Sequence, residues 1–462
     1  MRGATLAVAA AVLLAAARPA VRAEEVRAAL PRATLAEAVR AALARSRDVK
    51  MAREDAAAAR EGAVKARARL LPRVDAGADF TALSEPPAAL IQGRETQTAE
   101  RNIFRARLSA EQTLYDFGRT AALRSRAGAR IEEAGQAEAA ARERAAFGAV
   151  SAFLAAKRAE ELLAVAEESL ETAKAHLGVT RDHYELGVVA KNDVLAAEVT
   201  VANAEAAVIA ARNQVELSRS RLALRMGYPG DAAVAPAEGD FPVPADPVPP
   251  LEESVRAALE NRGEIRALAA AVREAEAARS GARAEFAPQF FAQGGYSYET
   301  NEFNPHKDVL SIVAGGRVNL FAGFSDEASV REAEALLARR REALAKAREE
   351  AALEVKEAHL SVAEAQKRLD VARVAVARAE ENLRIQNDRY AEGLAINTEV
   401  LDAQALLTRA RADARNAAYD LYEARYALLF ARGELAAFAL SWGAGGGGAG
   451  PGVGAPQAVR GR

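Results

Sequence analysis

The chain repeats itself. Leu35 to Pro72 and Leu251 to Pro288 align without a gap, with LAEAVRAALARSRDV opening the first stretch and LEESVRAALENRGEI the second. Further on, YELGVVAKNDVL (Tyr184 to Leu195) returns as YAEGLAINTEVL (Tyr390 to Leu401). A duplication on this scale confines the fold to two copies of one supersecondary unit packed together, and it outranks any local signal. The copies are offset by 216 residues up to Pro288 and by 206 from Leu320 onward. The ten-residue difference falls in a loop between two period-two segments, where length changes are tolerated.

Each copy reads as helix, strand, loop, strand, very long helix, tip, long helix. Pro72 and Pro288 end the opening helices, because proline cannot continue the backbone ladder and pushes the residue before it toward extended geometry. Period-two alternation follows. Val74, Ala76, Ala78, Phe80 and Ala82 share one face; so do Phe104, Ala106, Leu108 and Ala110; so do Phe290, Ala292, Tyr296 and Tyr298; so do Leu310, Ile312, Ala314, Val318 and Leu320. Four strands with one apolar and one polar face are predicted. From Arg119 to Leu186 no proline interrupts the chain, which predicts a rod on the order of 100 Å. Along it Leu163, Ala166, Leu170, Ala173 and Leu177 keep a seven-residue rhythm, repeated by Leu369, Ala372, Val376, Ala379 and Leu383, as in coiled coils drawn close by small residues.

The ends set the compartment. Residues 1–23 hold Arg2, an apolar run and Val21-Arg22-Ala23, the pattern of a secretory leader. Its removal would leave 59 Lys+Arg against 64 Asp+Glu, a balance that argues against nucleic-acid partners. No Cys is present, which excludes disulfides, a thiolate metal site and an acylated N-terminal Cys. The first copy is expected over 24–227, a Pro-rich linker (FPVPADPVPP) over 228–250, the second copy over 251–436 and a disordered Gly-rich tail over 437–462. That tail lacks the Gly-Lys-Ser/Thr of a phosphate loop. Past the leader no stretch reads as a transmembrane helix, so a membrane crossing must use strands. Alternation also suits a soluble sheet lying on a core. Strands of about ten residues in an exported chain suit a transmembrane barrel instead, and four are too few to close one, so the barrel must be oligomeric.

The export leader, the duplicated strand pair with paired long helices, and a Tyr-x-x-Gly…Asp/Glu-Val-Leu tip in each copy together resemble the TolC-like outer-membrane efflux and secretion channels. The resemblance runs from Leu35 to about Leu435. It implies a mainly helical protomer whose four strands join those of two others in a shared 12-stranded β-barrel in the outer membrane, continued by a coiled-coil tunnel across the periplasm. It also implies a homotrimer conducting small molecules or secreted polypeptides passively, with an inner-membrane pump reached through a periplasmic adaptor, and no cofactor.

At the tips Gly187 and Gly393 are expected to take the positive φ that ends a helix. Asp193 and Glu399 fall in the first turn of the returning helices, where a carboxylate is favoured, and for Asp193 simple capping competes with a pore role. Glu399 and Asp402, three apart, share a helix face. Acids at matching positions of the family line the periplasmic constriction, which makes Glu399, Asp402 and Asp193 the candidate pore residues. Adaptor contact is expected at Gly187, Val188, Val189, Lys191, Gly393, Leu394 and Asn397. The family often carries a basic latch residue just after the second tip glycine; here Leu394-Ala395-Ile396-Asn397 follows, leaving Lys191 as the substitute.

Catalysis finds little support. His176, His183, His306 and His359 are scattered, no Gly-x-Ser-x-Gly is present, and His176 with His183 reads as a solvated helix face ahead of a metal site. The competing reading is a periplasmic coiled-coil adaptor or scaffold, which would share the leader and the heptads but has no need of four strands with a lipid-compatible face.

Overall fold

The computed structural model describes residues 31–239, 241–244 and 247–442. The first copy comprises β1 (Arg32–Ala33), α1 (Leu35–Arg45), α2 (Arg47–Ala68), β2 (Arg73–Ala82), β3 (Ala88–Ile91), β4 (Arg94–Gln97), β5 (Asn102–Tyr115), α3 (Arg119–Glu185) and α4 (Lys191–Arg225). After β6 (Ala235–Pro236), the second copy comprises α5 (Leu251–Asn261), α6 (Gly263–Ala284), β7 (Gln289–Glu299), β8 (Asp308–Arg317), α7 (Ser325–Ala391) and α8 (Asn397–Ala431), followed by α9 (Leu435–Ser441). The helices α3 and α7 are each 67 residues long. The expected opening helix is two helices in each copy, broken where Ser46 and Arg262 take extended ψ values of 132° and 122°. In the first copy the break lets α1 bury Leu35, Ala38, Val39, Ala42 and Leu43 in the middle of the molecule while α2 runs on beside α3. Thr34 starts α1 with a reciprocal cap: its hydroxyl accepts from the Glu37 N–H, and the Glu37 carboxylate accepts from the Thr34 N–H.

The strands β2, β5, β7 and β8 form one antiparallel sheet in the order β2-β5-β7-β8. Its register aligns the apolar positions across all four strands. One row is Ala76, Leu108, Tyr296 and Leu310, and the next is Val74, Ala110, Gly294 and Ile312. Ile312 is 84 % exposed and Leu310 76 %, so none of the described residues packs over this face. The opposite face is charged and self-neutralising: Asp79, Arg105 and Glu299 share a row, with Arg105 at 4.0 Å from Asp79 and 3.1 Å from Glu299. The strand expected to continue through Val318 and Leu320 ends at Arg317, because its partner β7 begins at Gln289, opposite Arg317. The longer loop of the first copy holds the β3–β4 hairpin, turned by Gln92 and Gly93 at φ 52° and 78°.

The helix α4 departs from expectation, being long and apolar enough by composition to cross a bilayer. Ion pairs tie it to α3 along its length, from Arg181–Glu198 (2.7 Å) through Arg212–Glu167 (2.9 Å) to Arg219–Glu160 (3.0 Å). That pairing suits the wall of a water-filled tunnel and not a helix bathed in lipid.

The main core gathers α1, the middle of α3, the ends of α4 and α8, and α9 around Phe153, Leu154, Leu222, Tyr426 and Leu435. Residues 437–442, expected to open the tail, instead belong to α9 and the Trp442 cap that follows it; Ala439 is 1 % exposed and Trp442 packs on Tyr426 and Phe438. Both Glu143 carboxylate oxygens lie 3.1 Å from the Ala436 N–H, and burial raises this carboxyl's pKa to about 7. The expected leader and positions 443–462 lie outside the described residues. The expected linker is docked where it is described: Val234 is buried, Phe241 meets Phe153 and Tyr422 edge-on, and β6 pairs with β1.

The two copies meet closely where Gly263 lies against α3. A Cβ there would fall 2.6 Å from the Gln136 carbonyl oxygen and 2.8 Å from the Ala140 nitrogen. Gly263→Ala is therefore expected to lose about 1–3 kcal/mol through forced displacement, read as a lower midpoint of thermal unfolding, whereas Gly281→Ala, whose Cβ would make only ordinary contact, is expected to leave it nearly unchanged.

Candidate functional site

At each tip a long helix ends in the same way. Gly187 and Gly393 take φ 73° and 72°. The Val188 N–H donates to the His183 carbonyl (2.8 Å) and the Gly187 N–H to the Tyr184 carbonyl (3.0 Å); Leu394 to Arg389 (2.7 Å) and Gly393 to Tyr390 (3.1 Å) repeat the pattern. These paired bonds satisfy the last carbonyls of α3 and α7, and they need a residue that tolerates the left-handed region. Gly187, Val188, Lys191, Gly393 and Leu394 stand exposed at the end of the molecule, while Val189 is half-buried against the tip core.

Asn397, expected among the exposed contact residues, is only 3 % exposed. Its amide nitrogen donates to the Asp193 carbonyl at 3.1 Å, and its amide oxygen lies 2.7 Å from His176 Nε2. With the amide oriented so, His176 must carry its proton on Nε2. Around this bond Thr180 donates to the His176 carbonyl (2.9 Å), Tyr390 donates to the Thr180 hydroxyl (3.5 Å), and the Tyr390 ring sits 5.3 Å from the rings of both His176 and His183. His176 is thus no solvated residue; it belongs to a buried polar knot joining the α3–α4 hairpin to the α7–α8 hairpin. Burial lowers its pKa, against an opposing contribution from Asn397, with His183 lowering it further.

The three candidate acids have different surroundings. The Asp193 carboxylate accepts from the Ala190 N–H at 3.1 Å, which makes it a cap for α4. Glu399 lies 3.7 Å from Arg389, whose other guanidinium nitrogen donates to the Leu394 carbonyl at 3.1 Å. Asp402 is exposed and has no ion-pair partner among the described residues. The basic residue that holds the second tip is thus Arg389, four positions before the tip-ending Gly393, while Lys191 has no ion pair among the described residues. Comparison of the copies contains the signal for Arg389, since it occupies the position of His183, just as Asn397 occupies that of Lys191.

Residues 38–228 and 255–434 match the family described as outer membrane efflux protein. The chain belongs to the outer membrane efflux protein family. A comparison with curated proteins returns no match. Among solved structures, the chain is similar to a membrane protein of Pseudomonas aeruginosa (22 % identity, TM-score 0.77, covering 87 % of this chain and 91 % of that one). It is also similar to CusC (18 %, 0.77, 87 % and 93 %) and to the outer membrane protein VceC of Vibrio cholerae (21 %, 0.75, 86 % and 96 %). At these identities the likeness shows the fold, long helices with a few strands; the family places the protein in the outer membrane as an efflux channel component.

The lowered pKa of His176 fixes the sign of a pH effect. The unfolded imidazole binds protons below its ordinary value of 6.5 while the buried one resists, so the knot's contribution is complete above pH 6.5 and is lost as pH falls through the depressed native value. Amide exchange at 183–190, corrected for intrinsic rates, is expected to accelerate between pH 7.5 and 5.5 in the native sequence, and His176→Gln is expected to remove that pH dependence.

Proposed function

We propose that three copies pool their strands into a 12-stranded barrel in the outer membrane, continued by a helical tunnel, and that the assembly is a passive exit duct for small molecules or secreted polypeptides. An inner-membrane pump would drive transport through a periplasmic adaptor that docks at the exposed tips. The observation that carries this reading is the sheet: four strands, one continuous apolar face with none of the described residues against it, and edges at β2 and β8 that pair with no described strand. In hydrocarbon unpaired edges are too costly, so only closure with other copies completes the structure. The same sheet weighs against a soluble periplasmic scaffold, which would bury its apolar face against its own helices.

Asp402 and Glu399 are assigned to the inner end of the pore, Asp193 to the cap of α4. An exposed ion pair such as Arg389–Glu399 contributes about 0–1 kcal/mol, but it offsets the Glu399 charge locally, leaving Asp402 as the stronger cation-attracting group. In planar-bilayer recordings Asp402→Ala is expected to reduce cation preference more than Glu399→Ala. Unchanged conductance and selectivity in the double variant would remove both from the pore.

Gly187 and Gly393 have open space around their Cβ positions, so Ala there meets only left-handed strain of about 1–2 kcal/mol per site. The double substitution is expected to weaken adaptor cross-linking and export while the trimer persists on unheated gels; loss of the trimer would instead make the glycines purely structural.

A further inference from the structure

The duplication supplies a template for a surface that the single chain leaves open. Within the chain β5 pairs with β7, and the helix after β5 (α3) packs on the helix before β7 (α6). Moving α3 by 206 residues gives α7, which follows β8, and moving α6 back by 216 gives α2, which precedes β2; the helix bounds correspond residue for residue. Since β2 and β8 are the two free edges of the sheet, α7 of one copy and α2 of the next stand where α3 and α6 stand inside the chain. Burial supports the correspondence. Ala122 and Ala129 are buried under α6, whereas their counterparts Ala328 and Ala335 are exposed. Ala270 and Ala277 are buried under α3, whereas their counterparts Glu54 and Glu61 are exposed.

Nearest the sheet two ion pairs of the inner seam put the cation on α3, Arg119–Glu285 at 3.4 Å, with Glu285 just past α6, and Arg126–Glu274 at 2.9 Å; further along, Arg273–Glu132 at 2.5 Å puts the cation on α6. At the open seam the signs reverse. Arg69 replaces Glu285, Lys65 replaces Gly281, Glu332 replaces Arg126, and Asp326 sits beside Ser325, the counterpart of Arg119. None of Lys65, Arg69, Asp326 and Glu332 has an ion pair among the described residues.

We infer that α7 of one copy packs on α2 of a second copy as α3 packs on α6, with Asp326 and Glu332 facing Lys65 and Arg69 across a charge-inverted seam. The inference rests on the trimeric reading above and names the contact that closes it. Inversion also gives selectivity, because the Lys65 and Arg69 face of α2, brought against the face of α3 that takes α6, would meet Arg119 and Arg126. The same template carries β8 past Arg317 on assembly, since the partner of Phe290 in the inner seam, Tyr115, corresponds to Phe321.

A chain without cysteine suits cross-linking. A Cβ on Gly281 would lie 3.5 Å from that of Ala122, within reach of a disulfide, so Lys65→Cys with Ala328→Cys is expected to join neighbouring copies into covalent dimers and trimers on oxidation of the full-length protein. Ala122→Cys with Gly281→Cys is expected to cross-link only within the chain. Phe80→Cys with Ala314→Cys, counterparts of the paired Tyr296 and Leu108, tests the barrel edge separately. Edge cross-linking without the Lys65–Ala328 product would overturn the seam and leave the trimer standing; failure of both would overturn the trimer itself. Lys65→Glu with Arg69→Glu is expected to lower the temperature at which the trimer dissociates, and adding Asp326→Lys with Glu332→Lys is expected to restore it. Absence of that restoration would overturn the charge inversion.

Discussion

A row of unpaired backbone amides and carbonyls cannot remain in hydrocarbon, and this chain carries two such rows, at the outer edges of β2 and β8. Much of the rest follows from that constraint. The apolar residues aligned by the sheet register have none of the described residues to cover them, while Asp79, Arg105 and Glu299 on the other face pair with one another, as the lining of the proposed lumen requires. The long helices show a similar incompleteness. The helix α4 leaves Val199, Ile209 and Leu224 exposed while it is ion-paired to α3, and α7 leaves Leu353, Leu360 and Val371 exposed. A protomer with open edges and uncovered helix faces suits the proposed role of a segment of a wall.

The tips show how such a wall holds its inner end in place. Two kinds of interaction act there, and their magnitudes differ. The Arg389–Glu399 pair is exposed and loose, contributing about 0–1 kcal/mol. The His176–Asn397 bond is buried, and removing either partner would strand the other at a cost of about 1–3 kcal/mol. The knot therefore sets the geometry of the two hairpins, and the surface pair adjusts it. Because the knot joins residues 221 apart in sequence, it ties the first copy's hairpin to the second's.

Much of this architecture is legible in the sequence because it is local or periodic. Pro72 and Pro288 mark the switch from helix to strand, the alternation assigns the faces of the strands, and the tip glycines fall where the left-handed residues are found. The misses share a different origin. The breaks at Ser46 and Arg262 have only weak local signals, a serine at an N-cap position and Gly263 at the start of α6, and they are fixed by packing of α1 on the core and of α5 against α7. The end of β8 is set by where its partner begins, and the burial of Asn397 by a histidine on another helix. Asn397 resembles a polar loop residue, and only its pairing across the fold distinguishes it. The signal available was the divergence between copies. At the tips, where the repeat otherwise holds, Lys191 becomes Asn397 and His183 becomes Arg389, and both second-copy residues make contacts that their counterparts do not.

The most direct measurement is the mass of the intact, unheated protein extracted from membranes in mild detergent. The account predicts a single species of three chains that falls to one chain on heating. A stable single chain, soluble in water without detergent and with its four strands protected from exchange, would contradict it.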